Sequence, residues 1–126
     1  MSKWQTDDML DEALNYVADN ASQMDVVDDS GTPTDLSGSL ASHTMTTGDG
    51  NGDYTVQDGD TNGRRLTVAQ QADISVTATG TARHIVLSDG GSPATLYLVT
   101  TCTEQSLTSG NTVTVPTFDD EIADAS

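Results

Sequence analysis

The sequence predicts a mainly β fold: a compact antiparallel β-sandwich or barrel of about seven strands with one N-terminal α-helix. Short runs rich in Thr and Val recur between residues 43 and 116, and clusters of Gly, Asp and Asn separate them. An apolar stripe with helical spacing occurs only near the N-terminus. Strands and helices do not alternate along the chain, so a parallel α/β fold is not expected.

The helix is predicted over residues 7–22. Its apolar positions follow the i, i+3, i+4 spacing of one face, and they are Met9, Leu10, Ala13, Leu14, Val17 and Ala21. Acidic residues in the first turn stabilise the positive end of the helix dipole. The stripe packs either on the chain's own sheet, which is the favoured interpretation, or on a neighbouring subunit.

The polar segment 25–42 is predicted to be a connector with a short edge strand at Val26 and Val27. The strand candidates that follow are 43–47, 53–57, 64–68, 73–80, 82–88, 94–103 and 111–116. Asp89-Gly90-Gly91 is expected to turn a hairpin. The chain therefore divides into a helical segment (1–24), the connector (25–42), a β-domain (43–118) and an acidic tail (119–126).

Charge and composition restrict the function classes. Twenty Asp and Glu face four Lys and Arg, which gives a net charge of −16, and Lys3 is the only lysine. Such a surface repels nucleic acid and anionic membranes. Salt at molar strength shortens the Debye length to about 3 Å and screens the self-repulsion, so the composition indicates a halophilic setting. Hydrophobic residues make up only 34%, and we expect neighbouring subunits to help bury surface.

The acidic segment "TGDGNGDYTVQDGDTNGR" (47–64) resembles a calcium loop in part of its spacing. The first, third, fifth and twelfth places of an EF-hand loop would be filled by Asp49, Asn51, Asp53 and Asp60. Tyr54, however, stands where the loop needs Gly, and the flanks are strand-like. A turn (48–52), a strand (53–57) and a second turn (58–63) are therefore predicted, with no cofactor. Calcium remains the alternative.

No enzyme is expected. His84, Ser88 and Asp89 have the residue types of a catalytic triad but lie along one strand and its turn, without a nucleophile elbow. His43, His84 and Cys102 supply too few ligands for zinc. Cys102 is the lone cysteine, so no internal disulfide forms, and it is interpreted as a buried filler. No secretory signal or membrane helix is expected from the apolar runs.

Three arginines carry nearly all the positive charge, and two roles fit them. Arg64, Arg65 and Arg83 either neutralise carboxylates of the same chain or contact an acidic partner. The sequence leaves both roles open.

Three runs carry a resemblance to a known group of proteins: "DYTVQDGDTNGRRLTV", "TGTARHIVL" and "LYLVTTCTEQSLTSGNTVTVPTFDDEIAD". With the preceding "LDEALNYVADNA", they resemble small structural proteins of tailed bacterial and archaeal viruses. The resemblance covers about 100 residues, is weak over 25–45, and rests on turn and strand patterns. It implies an N-terminal helix before a compact β-domain, and a decoration or cement protein on the outside of a capsid. The excess of Asp is a departure that fits a haloarchaeal host.

The expected function is therefore that of a non-enzymatic virion protein, assembled in the host cytoplasm, that binds and stabilises the head shell. Its expected partners are the major capsid protein and copies of itself in a homo-oligomer, with no nucleic acid and no membrane. The candidate partner-binding residues are Trp4, Leu10, Leu14, Val17, Arg64, Arg65 and Phe118. The alternative is a calcium-binding β-module of a surface, tail or fibre protein.

Overall fold

The computed structural model describes residues 7–59 and 63–122, and its fold is mainly β. Within these residues one helix is followed by nine strands. They are α1 (Asp7–Asn20), β1 (Gln23–Val27), β2 (Ser39–Thr44), β3 (Tyr54–Asp58), β4 (Arg64–Val68), β5 (Gln71–Ser75), β6 (Gly80–Ser88), β7 (Leu96–Leu107), β8 (Thr112–Val115) and β9 (Phe118–Ile122). The predicted antiparallel β class with one N-terminal helix is confirmed, with nine strands rather than about seven.

The strands form three antiparallel sheets. The first has the order β2-β1-β6-β7, the second β3-β4-β9 and the third β5-β8. The predicted hairpin around residues 89–91 joins β6 to β7. Its turn uses Gly90 at φ 69°, and the turn before β8 uses Gly110 at φ 97°, a region of backbone conformation that favours glycine. β3 and β4, which flank the predicted turn at 58–63, pair antiparallel, and residues 60–62 of that turn lie outside the described residues.

The helix packs on the sheets of its own chain, mainly against β3 and β4. Leu10, Leu14 and Val17 are only 3%, 1% and 9% exposed. Ala18, which the predicted stripe omitted, is fully buried, whereas Met9 and Ala13 are exposed. The predicted stripe was therefore too wide: it merged the buried row with a neighbouring row about 100° around the helix.

The prediction of a short edge strand at Val26 and Val27 was wrong, because β1 is an interior strand. It pairs with β2 on one side and β6 on the other. Asp25 breaks the apolar pattern of this strand, yet its side chain is only 2% exposed. Its carboxylate accepts hydrogen bonds from Gln23 Nε2 (2.6 Å) and Ser39 Oγ (2.5 Å). A buried acid can be retained in a strand when such partners satisfy it.

The C-terminal segment also differs from the sequence interpretation. Residues 119–122, which were assigned to an acidic tail, belong to β9 and pair with β4. Phe118 lies opposite Val68 and Ile122 opposite Arg64. Their backbone pairing holds the acidic strand in the second sheet, and residues 123–126 lie outside the described part of the chain.

Candidate interaction surface

The acidic loop before β3 uses its side chains to bond its own backbone. Asp49 Oδ1 accepts from the Val56 amide at 2.8 Å, and Asn51 Nδ2 donates to the Thr47 carbonyl at 2.8 Å. Hydrogen bonds of this kind from Asp and Asn stabilise turns. Both side chains therefore fix the path of the loop.

Asp53 holds the same loop against β5. Its Oδ2 accepts from the Thr46 amide at 2.6 Å, and its Oδ1 accepts from Gln71 Nε2 at 3.1 Å. Asp60, the fourth residue of the calcium hypothesis, lies outside the described residues. Over 7–59 and 63–122, no three His, Cys, Asp or Glu side chains group in a way that could hold a metal ion. The contacts of Asp49, Asn51 and Asp53 are those of a structural turn.

Tyr54 stands where a calcium loop would have glycine, and it has a structural role. The side chain is fully buried, and its hydroxyl donates to the Ala21 carbonyl just after α1 at 2.6 Å. Burial, followed by the charge of Asp53, raises the pKa of this phenol. Tyr54 therefore connects the end of the helix to the second sheet.

Arg64 is engaged within the chain. Its Nε bonds Asp11 of the helix at 2.7 Å and its Nη1 bonds Asp58 across the β3–β4 hairpin at 2.5 Å. The Arg64 side chain is 19% exposed. The Arg64 guanidinium thus links α1 to the hairpin and neutralises two carboxylates. Little of the side chain is left exposed for contact with another protein.

The other two arginines also meet carboxylates of the same chain. Arg65 lies 3.5 Å from Asp119 of β9. Arg83 contacts Asp28 at 3.2 Å and Glu104 of β7 at 2.8 Å. All three arginines therefore follow the first of the two roles that the sequence left open.

The remaining candidate partner-binding residues differ in their burial. Leu10, Leu14 and Val17 face the core, so their burial counts against a partner-binding role. Trp4 lies outside the described residues. Phe118 is half-buried and borders a groove that is described below.

Two other apolar side chains of the helix are exposed instead. Met9 is 51% and Tyr16 is 60% exposed. The Tyr16 ring packs edge to face on Tyr97 of β7, with ring centroids 5.6 Å apart. Tyr16 therefore presents an exposed aromatic ring beside the start of β7.

All three residues with triad chemistry take part in local structural contacts. Asp89 accepts from the Gly91 and Thr95 amides. Ser88 is fully buried, and its Oγ accepts from the Gly90 amide at 3.1 Å. His84 Nδ1 lies 3.0 Å from the Asp29 carbonyl. Residues four apart on a strand are separated by about 13 Å, so His84 does not reach Ser88 along β6.

An uncharged groove of about 600 Å³ lies beside β7. It lies between β1, β6 and β7 of the first sheet and residues 113–118, which run from β8 to the start of β9. The first sheet contributes Val26, Ala82, Ile85, Thr100, Thr101, Cys102, Thr103 and Gln105, and the facing segment contributes residues 113–118. None of these residues is charged, although the chain carries 20 acids. The groove is therefore an uncharged surface on a strongly acidic chain.

The lone cysteine opens into this groove. Burial, with a smaller effect of the Glu104 carboxylate, raises the pKa of the Cys102 thiol. A raised pKa lowers the thiolate fraction and with it the reactivity. Cys102 was interpreted as a buried filler, but it is only half-buried and lines the groove. The sequence feature that could have predicted an uncharged groove is the long, uncharged, Thr-rich run 94–103.

No family model, curated protein or solved structure matches this chain. Among the described residues, the single helix is too short and too polar to cross a bilayer.

Proposed function

We propose that this protein is a non-enzymatic structural protein of a virion. It acts as a capsid decoration or cement protein that binds and stabilises the head shell of a tailed virus of a halophilic host. Its partners are the major capsid protein and further copies of itself, and it joins the particle in the host cytoplasm.

The resemblance of its strand and turn patterns to small virion proteins carries this proposal. The three runs that bear the resemblance fall on the β3–β4 hairpin, on β6, and on β7 to β9. The helix followed by a β-domain is the arrangement that the resemblance implies. The patterns thus include β3, β4 and β6 to β9, which build the sheets together with the other strands.

Two physical features support the same role. The acidic surface suits molar salt and disfavours contact with the packaged genome, since DNA binding needs basic phosphate contacts. The uncharged groove and the adjacent strand offer a surface that could be covered by assembly, and burial of such surface stabilises small domains. The calcium-binding alternative gains no support from the contacts of the described residues and is not proposed.

The test uses particles of the virus whose genome carries the gene. Purified particles are kept in molar KCl and analysed by quantitative mass spectrometry against the major capsid protein. We expect the chain at a fixed, high copy number, and purified chain should rebind to particles from which it has been stripped. Absence from the particles, or presence in trace amounts with no rebinding, would contradict the proposal.

A further inference from the structure

We propose that β7 pairs edge to edge with β7 of a second copy of this chain. The two strands run antiparallel across a two-fold axis and join two four-stranded sheets into one sheet of about eight strands. The partner is thus a second copy, held by main-chain hydrogen bonds.

The edge of β7 is the long, open edge of the first sheet. β7 spans Leu96–Leu107 and pairs with β6 on one side only. At the opposite edge of this sheet, β2 is closed, because the Thr77 amide bonds the Leu40 carbonyl at 2.8 Å and Ala41 bridges Val76. Natural sheets cover or charge their edges to prevent pairing, so an uncovered edge points to a partner.

The edges of the second sheet are protected in other ways. The acidic loop folds over β3, where the Gly50 amide bonds the Tyr54 carbonyl at 2.8 Å. β9 carries exposed carboxylates at Asp119 and Glu121. Charges on an edge strand discourage pairing with another chain.

The strands of the third sheet are short and interrupted. β5 has a register shift and places Asp73 at φ 57°. β8 has four residues and is followed by Pro116, which lacks an amide donor. Among the described strands, β7 alone offers a long edge without a proline or a row of acids. Besides β6, the helix α1 packs on β7 near its start, where Tyr16 meets Tyr97.

The charge distribution makes this edge the place where two copies of the chain can meet. β7 contains one charged residue, Glu104, and Arg83 of the same chain already pairs with it at 2.8 Å. Two chains of net charge −16 repel each other over most of their surfaces. Their uncharged β7 edges are where they can approach with the least repulsion.

The regular part of β7 indicates where the axis would lie. The pairing with β6 is regular over Leu98–Thr101 and shifts on either side of this stretch. An antiparallel pair across a two-fold axis sets a residue opposite its own copy, so an axis near the centre of this stretch lies at Val99 or Thr100. The two Glu104 residues are then roughly 26 to 33 Å apart along the strands, well beyond the Debye length.

A partner strand beside β7 would bury apolar surface as well as form main-chain hydrogen bonds, because the groove borders β7. Thr101 and Cys102 of β7 form one wall, and Val115 and Phe118 lie on the other. A strand added beside β7 would lie along this wall and cover uncharged surface. Burial of apolar area contributes roughly 25 cal/mol per Å².

This inference names the surface for the self-association that the proposed function includes. It requires no capsid, because it concerns the purified chain alone. If the chain does not bind capsids, the β7 pairing can still occur. If the β7 pairing does not occur, the chain can still bind particles, and the particle experiment tests that binding.

The test compares Thr101→Lys with Thr55→Lys. Thr101 is exposed on β7, and Thr55 is exposed on β3, so both variants make the same charge change on a strand. Sedimentation equilibrium of the intact chain in molar KCl, over a concentration series, should show a dimer for the wild type. Thr101→Lys should weaken it at least about tenfold, since a lysine must be buried beside an apolar strand. Thr55→Lys should not weaken the dimer. Both variants reduce the net repulsion between chains equally, so a difference between them reflects the position of the lysine.

Amide hydrogen exchange of the wild type gives a second measurement that does not depend on a variant folding. Amides within 98–101 should become more protected as protein concentration rises, whereas those of β8 and β9 should not. A wild type that remains monomeric throughout, a dimer that survives Thr101→Lys, or protection outside β7 would overturn the proposal.

Discussion

At the scale of single residues, two buried polar side chains hold the fold together. Tyr54 joins the end of α1 to β3 through its bond to the Ala21 carbonyl. Asp25 sits inside the first sheet and is satisfied by Gln23 and Ser39. Buried polar groups contribute to stability only when they are paired, so both positions should tolerate little change.

Removal of one hydroxyl tests the role of Tyr54. Tyr54→Phe keeps the ring in the core but leaves the buried Ala21 carbonyl without its partner. We expect the free energy of unfolding to fall by about 1–3 kcal/mol. Tyr16→Phe is the matched control, because Tyr16 is 60% exposed, and it should change stability by no more than about 0.5 kcal/mol. Denaturant unfolding in molar KCl measures both, and equal effects would refute this role.

Neither residue's role could be derived from the sequence. The partner of Tyr54 is 33 positions away in the chain, and Ser39, one of the two partners of Asp25, is 14 positions away. Sequence patterns report neighbours along the chain, whereas these bonds depend on how distant elements meet. The sequence did indicate that the loop is not an EF-hand calcium loop, because Tyr54 stands where such a loop needs glycine. That inference required only the position of Tyr54 within the loop.

At the scale of elements, features specified by nearby residues were predicted and those specified by distant pairing were not. β4 was predicted at its observed bounds, and the turn at 89–91 was found from its glycines. β1 was missed as an interior strand because Asp25 breaks its pattern and because Gly31, Pro33 and Gly38 make the following segment resemble a connector. The groove arises between two sheets, so no single segment specifies it.

The β6–β7 hairpin makes a prediction about pH. Asp89 accepts from the Gly91 amide at 2.9 Å and the Thr95 amide at 3.0 Å, and these bonds, Gly91 first, lower the pKa of the Asp89 carboxyl. A lowered pKa in the folded state contributes stability above the ordinary carboxyl pKa, and this stability is lost as pH falls. Asp89→Asn removes that titration.

The unfolding free energies of wild type and Asp89→Asn should therefore converge as the solution is acidified from neutral pH. Urea unfolding at a series of pH values in constant molar KCl measures the two curves. Asp19→Asn removes the same charge from an exposed helix position and should not reproduce this convergence. Parallel curves for wild type and Asp89→Asn would show that the loop bonds do not depend on the carboxylate charge.

At the scale of the whole molecule, net charge and a small core set the conditions for folding. The chain carries −16 and holds its arginines in internal ion pairs, so most carboxylates face solvent or one another. The repulsion is long-range at low salt and is screened at molar salt. The same screening lets two acidic copies approach, which links stability and assembly to the same salt range.

Stability should therefore rise with KCl, and the size of the rise should depend on net charge. Asp8, Glu12 and Asp19 are exposed on α1, and changing them to Asn, Gln and Asn lowers the negative charge by three without altering side-chain shape. Because self-repulsion scales roughly with the square of the charge, the increase in melting temperature between dilute and molar KCl should be about a third smaller in this variant. Thermal unfolding followed by circular dichroism, at concentrations where both proteins are monomeric, measures the two slopes. If the slopes are equal, the salt requirement comes from general effects of KCl on hydration rather than from screening of the acidic surface.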